Sequence, residues 1–283
     1  QPPWSGFRGM FLGNLPLGAG LSSSAALEIS TALALSSLYG IPLDNLTMAR
    51  IGQAAEHEYA GVKCGLLDQI SSLFGREGEL VMTDFRSLQV QTVPMGKNAC
   101  FLMCNTNAKH SLVDSQYNER RAKCEEAARF FASVLNHKVA ALRDVSWEEW
   151  QKHSPKMDAA AARRSAHVIG ENTRVLEARE LLGKGQLEAF GKLMFESHES
   201  SIRYFENSCP ELDFIVSTAR NVPGVLGARL SGGGFGGSVV VLLHPRDAES
   251  AARALSSAYQ GKFGRPCDVR VITPSAGAAL VKA

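Results

Sequence analysis

The run Ser231-Gly232-Gly233-Gly234-Phe235-Gly236-Gly237 constrains this chain more than any other stretch. It lies between two segments that read as strands, 227–231 and Ser238-Val239-Val240-Val241-Leu242-Leu243. Strands joined by so short a connection pair antiparallel. The run satisfies G-x-G-x-x-G in form, but the dinucleotide fingerprint requires its glycines to open a helix, and here a strand follows. The dinucleotide reading is rejected on that ground. Five glycines also exceed what a hairpin turn needs. The excess points to backbone that must approach something closely, such as a second loop or a nucleotide.

A second cluster, Gly18-Ala19-Gly20-Leu21-Ser22-Ser23-Ser24, follows residues 10–14, which read as the end of a strand, and opens a helix running to about Leu38. That helix is apolar nearly all round (Ala25, Ala26, Leu27, Ile29, Leu33, Leu35), which predicts burial on all sides. Glycines let backbone N–H groups converge, and a helix N-terminus adds partial positive charge, so the loop is a physically sensible phosphate cradle. The seryl hydroxyls can donate to phosphate or ligate magnesium. A Ser N-cap with nothing bound is the competing reading. The loop lacks the Gly-Lys-Ser/Thr ending of a Walker A motif, so no lysine is supplied in cis.

Periodicity predicts further helices over roughly 46–60 and 66–74, strands at 79–83, 90–93 and 99–105, and a charged helix over 113–135. The stripe of that last helix is Val113, Tyr117, Cys124, Ala128 and Phe131, and Arg120, Arg121 and Lys123 read as its solvated face, paired with Glu119, Glu125 and Glu126. Helical segments fill most of 146–220, and the tail adds a helix over 247–260 and a strand over 268–273. The class is α+β with two lobes, 1–94 and 95–283.

Thirty Lys and Arg against 28 Asp and Glu leave a formal charge of +2, which argues against a nucleic-acid or basic membrane-surface protein. No uninterrupted apolar stretch of about 18 residues occurs, and no signal peptide opens the chain. The six cysteines show neither C-x-x-C pairs nor metal-ligand spacing and read as reduced thiols in a cytoplasmic protein. The histidines suggest no triad, and His57, between Glu56 and Glu58, reads as a helix-surface residue.

Leu15 to Ala26 resembles the second motif of the GHMP small-molecule kinases, and Gly227 to Gly237 resembles their third. The segments 64–69, 84–88, 105–111, 115–121 and 208–213 are similar to the galactokinase branch in particular, so the resemblance runs in order through essentially the whole chain. It implies a two-lobed fold, with a ribosomal-S5-domain-2-like first lobe and a ferredoxin-like second lobe carrying the Gly-rich lid loop. It implies phosphorylation of galactose at the anomeric hydroxyl, with ATP and galactose as small-molecule ligands, Mg2+ as cofactor, and a monomer without nucleic-acid or membrane partners.

Residue by residue, the resemblance gives Gly18, Ala19, Gly20, Leu21, Ser22, Ser23 and Ser24 to the triphosphate, and Ser23 with Glu56 to the magnesium. It gives Asp68 the role of base or charge stabiliser facing the sugar hydroxyl, Gly65 and Tyr117 the sugar pocket, and Gly232, Gly233, Gly234, Gly236 and Gly237 the lid loop. Lys109 is a candidate cation nearby. Local pattern alone leaves Glu56 as a helix-rim residue, Asp68 as a helix-terminal carboxylate favoured in its ionised form by the dipole, and Tyr117 as a core tyrosine. Galactokinases carry, upstream of the phosphate loop, a segment that supplies most sugar contacts. With the loop at Gly18, the expectation is a chain lacking that segment and weakly active or inactive alone. A kinase for N-acetylgalactosamine or arabinose, or a non-catalytic sugar- and ATP-sensing relative, are the alternatives.

Overall fold

The computed structural model describes residues 5–15, 21–109 and 113–281, without the side chains of 109, 113–115 and 117. The chain forms two units, residues 1–96 together with 273–283, and residues 97–272.

In the first unit, helices α1 (Ser23–Leu38), α2 (Asn45–Ala55) and α3 (Leu67–Phe74) meet around Ile29, Met48, Ala49, Ile70 and Leu73. A hairpin of β1 (Glu79–Asp84) and β2 (Gln89–Pro94) adds Val81 and Val90 to this core. Asp44 caps α2 by accepting from Thr47 N at 3.0 Å. The helix predicted over 46–60 changes winding at its end, with Glu56–Ala60 forming a π turn closed by Gly61 in the left-handed region at φ 73°.

Two expectations fail here. Residues 10–14 form no strand, since no partner strand lies beside them among the described residues. Helix α1 is not buried on all sides: Ala25 and Ile29 are buried, but Leu27 and Leu38 are 51% and 59% exposed. An apolar stripe that runs all round a helix still needs neighbours on every side, and α2 and α3 cover one.

Residues 273–281, expected in the second lobe, instead pack in the first unit and terminate α3. Ala278 N–H donates to Ser72 O at 2.7 Å, Gly277 N–H to Gly75 O at 2.8 Å, and Gly78 N–H to Pro274 O at 3.1 Å. The last four carbonyls of any helix lack intrahelical partners, and the tail supplies one.

The second unit is built on the four-stranded antiparallel sheet β4-β5-β3-β6, with β3 spanning Cys100–Lys109, β4 Val225–Leu230, β5 Gly236–Leu243 and β6 Asp268–Ile272. With α8 (Pro210–Ala219) and α9 (Ala248–Phe263), this order gives the ferredoxin-like β-α-β-β-α-β arrangement. Alternate residues Leu102, Cys104, Ala228, Leu230, Val239, Val241 and Leu243 face one side of the sheet. Leu212, Ile215, Val216 and Ala219 of α8 cover them at helical spacing, beside Leu255 and Tyr259 of α9. Between β3 and β4 the chain inserts α4 (Val113–Val134), α5 (Trp147–His153), α6 (Ala159–Gly183) and α7 (Leu187–Ser200). A second core around Ala127, Phe131, Leu142 and Ile169 holds the insertion together.

Candidate active site

In the first unit the site grows from the three helix ends. Ser22 is the N-cap of α1 in the left-handed region at φ 53°, and its side chain makes no capping bond. A serine thus stands at the N-cap, as the competing reading has it, but without the side-chain bond that such a cap ordinarily makes. The first-turn amides of α1, which no helix can satisfy internally, stay uncapped by that hydroxyl. Ser23 opens the helix behind it. Gly18, Ala19 and Gly20 lie outside the described residues.

Asp68 stands exposed in the first turn of α3, whose N-cap Leu66 offers no side-chain bond. Glu56 opens the π turn after α2. The charges of both act on Glu28, a residue that local pattern did not single out. Gln69 Nε2 donates to Glu28 Oε2 at 3.1 Å, which ties α3 to α1. Partial burial pushes the Glu28 carboxyl up. The Gln69 bond opposes this, while a hydrogen bond with Glu56 and the negative charges of Glu56 and Asp68 push it further up. Gly52 of α2 permits the approach, because a Cβ there would lie 2.9 Å from Glu28 Oε2 and 3.1 Å from Gln69 Cγ. Gln53 Nε2 and His57 Nε2 lie 3.1 Å and 2.9 Å from Cys64 O, so both brace the loop that leads to Asp68. Gly65 lies in that loop, exposed, with open space at its Cβ position.

This donor set fits magnesium. Among the described residues no three His, Cys, Asp or Glu side chains form a metal cage. Magnesium does not need one, since it takes one or two carboxylates and fills its shell with water and phosphate oxygens. Ser23 and Glu56 are hard oxygen donors, and the charges that weigh on Glu28 are the negative ones of Glu56 and Asp68.

In the second unit the Gly-rich loop is seated on Asn207. Phe235 N–H donates to Asn207 O at 2.7 Å, and Asn207 Nδ2 donates to Gly233 O at 3.0 Å. A Cβ on Gly234 would land on the Asn207 carbonyl oxygen, and Gly234 is left-handed at φ 83°. The close approach expected of this loop is thus partly to its own protein, whereas Gly232 and Gly237 face open space. Arg120 pairs with Glu119 as expected but corrects the solvated-face expectation. It is 14% exposed, donates from Nε and Nη2 to Phe205 O and Glu206 O at 3.1 Å and 2.8 Å, and lies 5.2 Å from the Phe235 ring centre. Arg121 and Lys123 do pair along the helix, with Glu125 and Glu126. The side chains of Lys109 and Tyr117 lie outside the described residues.

Two family models match, the N-terminal domain of GHMP kinases over residues 3–76 and the C-terminal domain over residues 178–261. The galactokinase of Mannheimia succiniciproducens is 40% identical over 95% of this chain and 69% of its own length. That of Haemophilus influenzae is 40% identical over 95% of this chain and 70% of its own. The crystal structure of Lactococcus lactis galactokinase complexed with galactose superposes with a TM-score of 0.88 at 32% identity, covering 94% of this chain and 68% of that one. The residues around Ser22, Asp68 and the Gly-rich loop thus stand in a chain that belongs to the GHMP kinases, on their galactokinase branch.

Proposed function

We propose that this protein transfers the γ-phosphoryl group of ATP to the anomeric hydroxyl of galactose, giving galactose 1-phosphate and ADP. The observation that carries the reading is the bond from Gln69, next to Asp68, to Glu28 on the helix whose N-terminus follows the Gly-Ala-Gly loop. Phosphoryl transfer asks little covalent chemistry of a protein and much alignment and charge neutralisation. Gly18 to Ser24 cradle the triphosphate through backbone amides and seryl hydroxyls. Ser23 and Glu56 would hold Mg2+, whose charge would offset the negative charge on the phosphate oxygens. Gly232, Gly233, Gly234, Gly236 and Gly237 form the lid loop of the nucleotide, and Gly65 and Tyr117 line the sugar pocket.

Asp68 faces the anomeric hydroxyl. As the new P–O bond forms and the bond to the β-phosphate breaks, the hydroxyl proton passes to its carboxylate or is held there while it departs to water. The six free thiols fit a cytoplasmic protein, and we take it to work as a monomer.

The test is galactose-dependent ADP release by the protein, compared with Asp68→Ala. The substitution is expected to lower turnover by about a thousandfold or more while leaving the dissociation constant of ATP within about twofold. Turnover unchanged in Asp68→Ala would remove Asp68 from the reaction. Release of ADP that does not depend on galactose would remove the sugar.

A further inference from the structure

Asn207 and Arg120 belong to neither glycine motif, yet both hold the Gly-rich loop in shape. Asn207 follows a π turn, Ser201–Phe205, and then Glu206 in the left-handed region at φ 54°. A π turn followed by a left-handed non-glycine residue is an uncommon and costly path for a chain. Three arginines keep it there. Arg163 Nε and Arg164 Nη2 grip the two Glu206 carboxylate oxygens at 2.7 Å and 2.8 Å. Arg164 Nη1 also holds Tyr204 O at 2.6 Å, and Arg120 takes the carbonyls of Phe205 and Glu206. The Arg164 side chain is nearly buried, and the bond from Arg164 chiefly holds the Glu206 carboxyl below the usual carboxylate range. The product of this bracing is the position of Asn207, whose backbone oxygen and side-chain amide both bind the loop. Its Oδ1 is buried without a partner among the described residues. A buried polar atom left unsatisfied marks a constraint other than stability. Phe235, left-handed at φ 58° and buried, completes the seat beneath the Arg120 guanidinium.

We propose that Asn207 and Arg120 are positioning residues that fix the Gly-rich loop in its nucleotide-binding shape, Arg120 acting through Phe235. The inference rests on the reading of that loop as one that closes on ATP. A loop of five glycines loses much conformational freedom when it orders. Seating it in advance removes part of that cost from each nucleotide-binding event.

The experiment titrates Mg-ATP into the protein and into Asn207→Ala, Arg120→Lys, Phe235→Leu and Phe235→Tyr, and follows amide exchange in residues 231–237. Asn207→Ala, Arg120→Lys and Phe235→Leu are expected to weaken Mg-ATP by about tenfold. They should also speed exchange in the loop while β3 stays protected. Phe235→Tyr keeps the aromatic face and is expected to keep the affinity. Folded Asn207→Ala and Phe235→Leu proteins that bind Mg-ATP within about twofold of the parent would overturn the inference. If Asn207→Ala does not fold, the two Phe235 variants decide by the same measure. A parent protein that binds no Mg-ATP would overturn the nucleotide reading of the loop itself, which is a different failure.

Discussion

His167 lies on α6 with Nδ1 2.8 Å from the Ser200 hydroxyl and its ring 4.6 Å from that of Phe205. Burial lowers its pKa to about 4 from an ordinary 6.5, with the Glu171 charge opposing and the Arg174 and Arg229 charges assisting. The unfolded chain takes up this proton below about pH 6.5 while the folded chain refuses it down to about pH 4. The stability it contributes is therefore complete above pH 6.5 and is lost progressively as pH falls toward 4. The loss amounts to about 3 kcal/mol. Thermal melting followed from pH 7 to pH 4 should show this acid limb, and His167→Leu should flatten it; an unchanged limb would place the titration elsewhere. Glycine punctuation and a helix start, which are local signals, singled out the loop through Ser22, whereas Glu56 and Asp68 stood out only through the family resemblance. Residue-scale reading passed over Glu28, whose meaning lies in Gln69 and Glu56 on other elements, and it gave Arg120 to solvent, because the two carbonyls that bury it are 85 and 86 residues away.

At the scale of elements, α7 crosses β4 at a contact between two glycines. A Cβ on Gly191 would land on the Leu226 carbonyl oxygen, and one on Gly227 would land on the Gly191 carbonyl. Main chain meets main chain there, so no rotamer change can relieve an added methyl. Gly191→Ala and Gly227→Ala are each expected to cost about 3 kcal/mol in chemical denaturation, near the upper end for overpacking. A cost below about 0.5 kcal/mol would mean that α7 slides freely on the strand. Helical and strand periods placed the elements of this unit well, since β3, β5, α4 and α9 have clear stripes. They could not show that α7 lies on β4, because a glycine in a helical pattern carries no sign of what it must avoid. The change from α to π winding at Glu56 escaped for a related reason, since the apolar stripe runs on through both windings.

For the molecule as a whole, the path of the chain matters. After 176 residues of the second unit, residues 97–272, the last segment returns to finish the first. Three backbone hydrogen bonds join it there, from Ala278, from Gly277 and to Pro274. Gly75 and Gly277 allow the approach, with Cβ positions 2.8 Å from Ser275 O and 2.6 Å from Leu73 O. Removing residues 273–283 is expected to destabilise the first unit by about 3 kcal/mol, at about 1 kcal/mol for each bond. The fall should appear as a lowered melting transition, with exchange-protected amides in β3 and β5 unaffected; an unaltered transition would mean the tail rests on α3 without holding it. The sequence by itself determined what depends on neighbours a few residues apart: the order of helices and strands, the two glycine loops, the antiparallel hairpin and the rejection of a dinucleotide fold. Tertiary structure alone decided what depends on distant partners. It set the tail against α3, Asn207 beneath the Gly-rich loop, and Glu28 against Gln69. Backbone periodicity records which face of an element is apolar, but the identity of the group that meets that face is fixed only when the chain closes on itself.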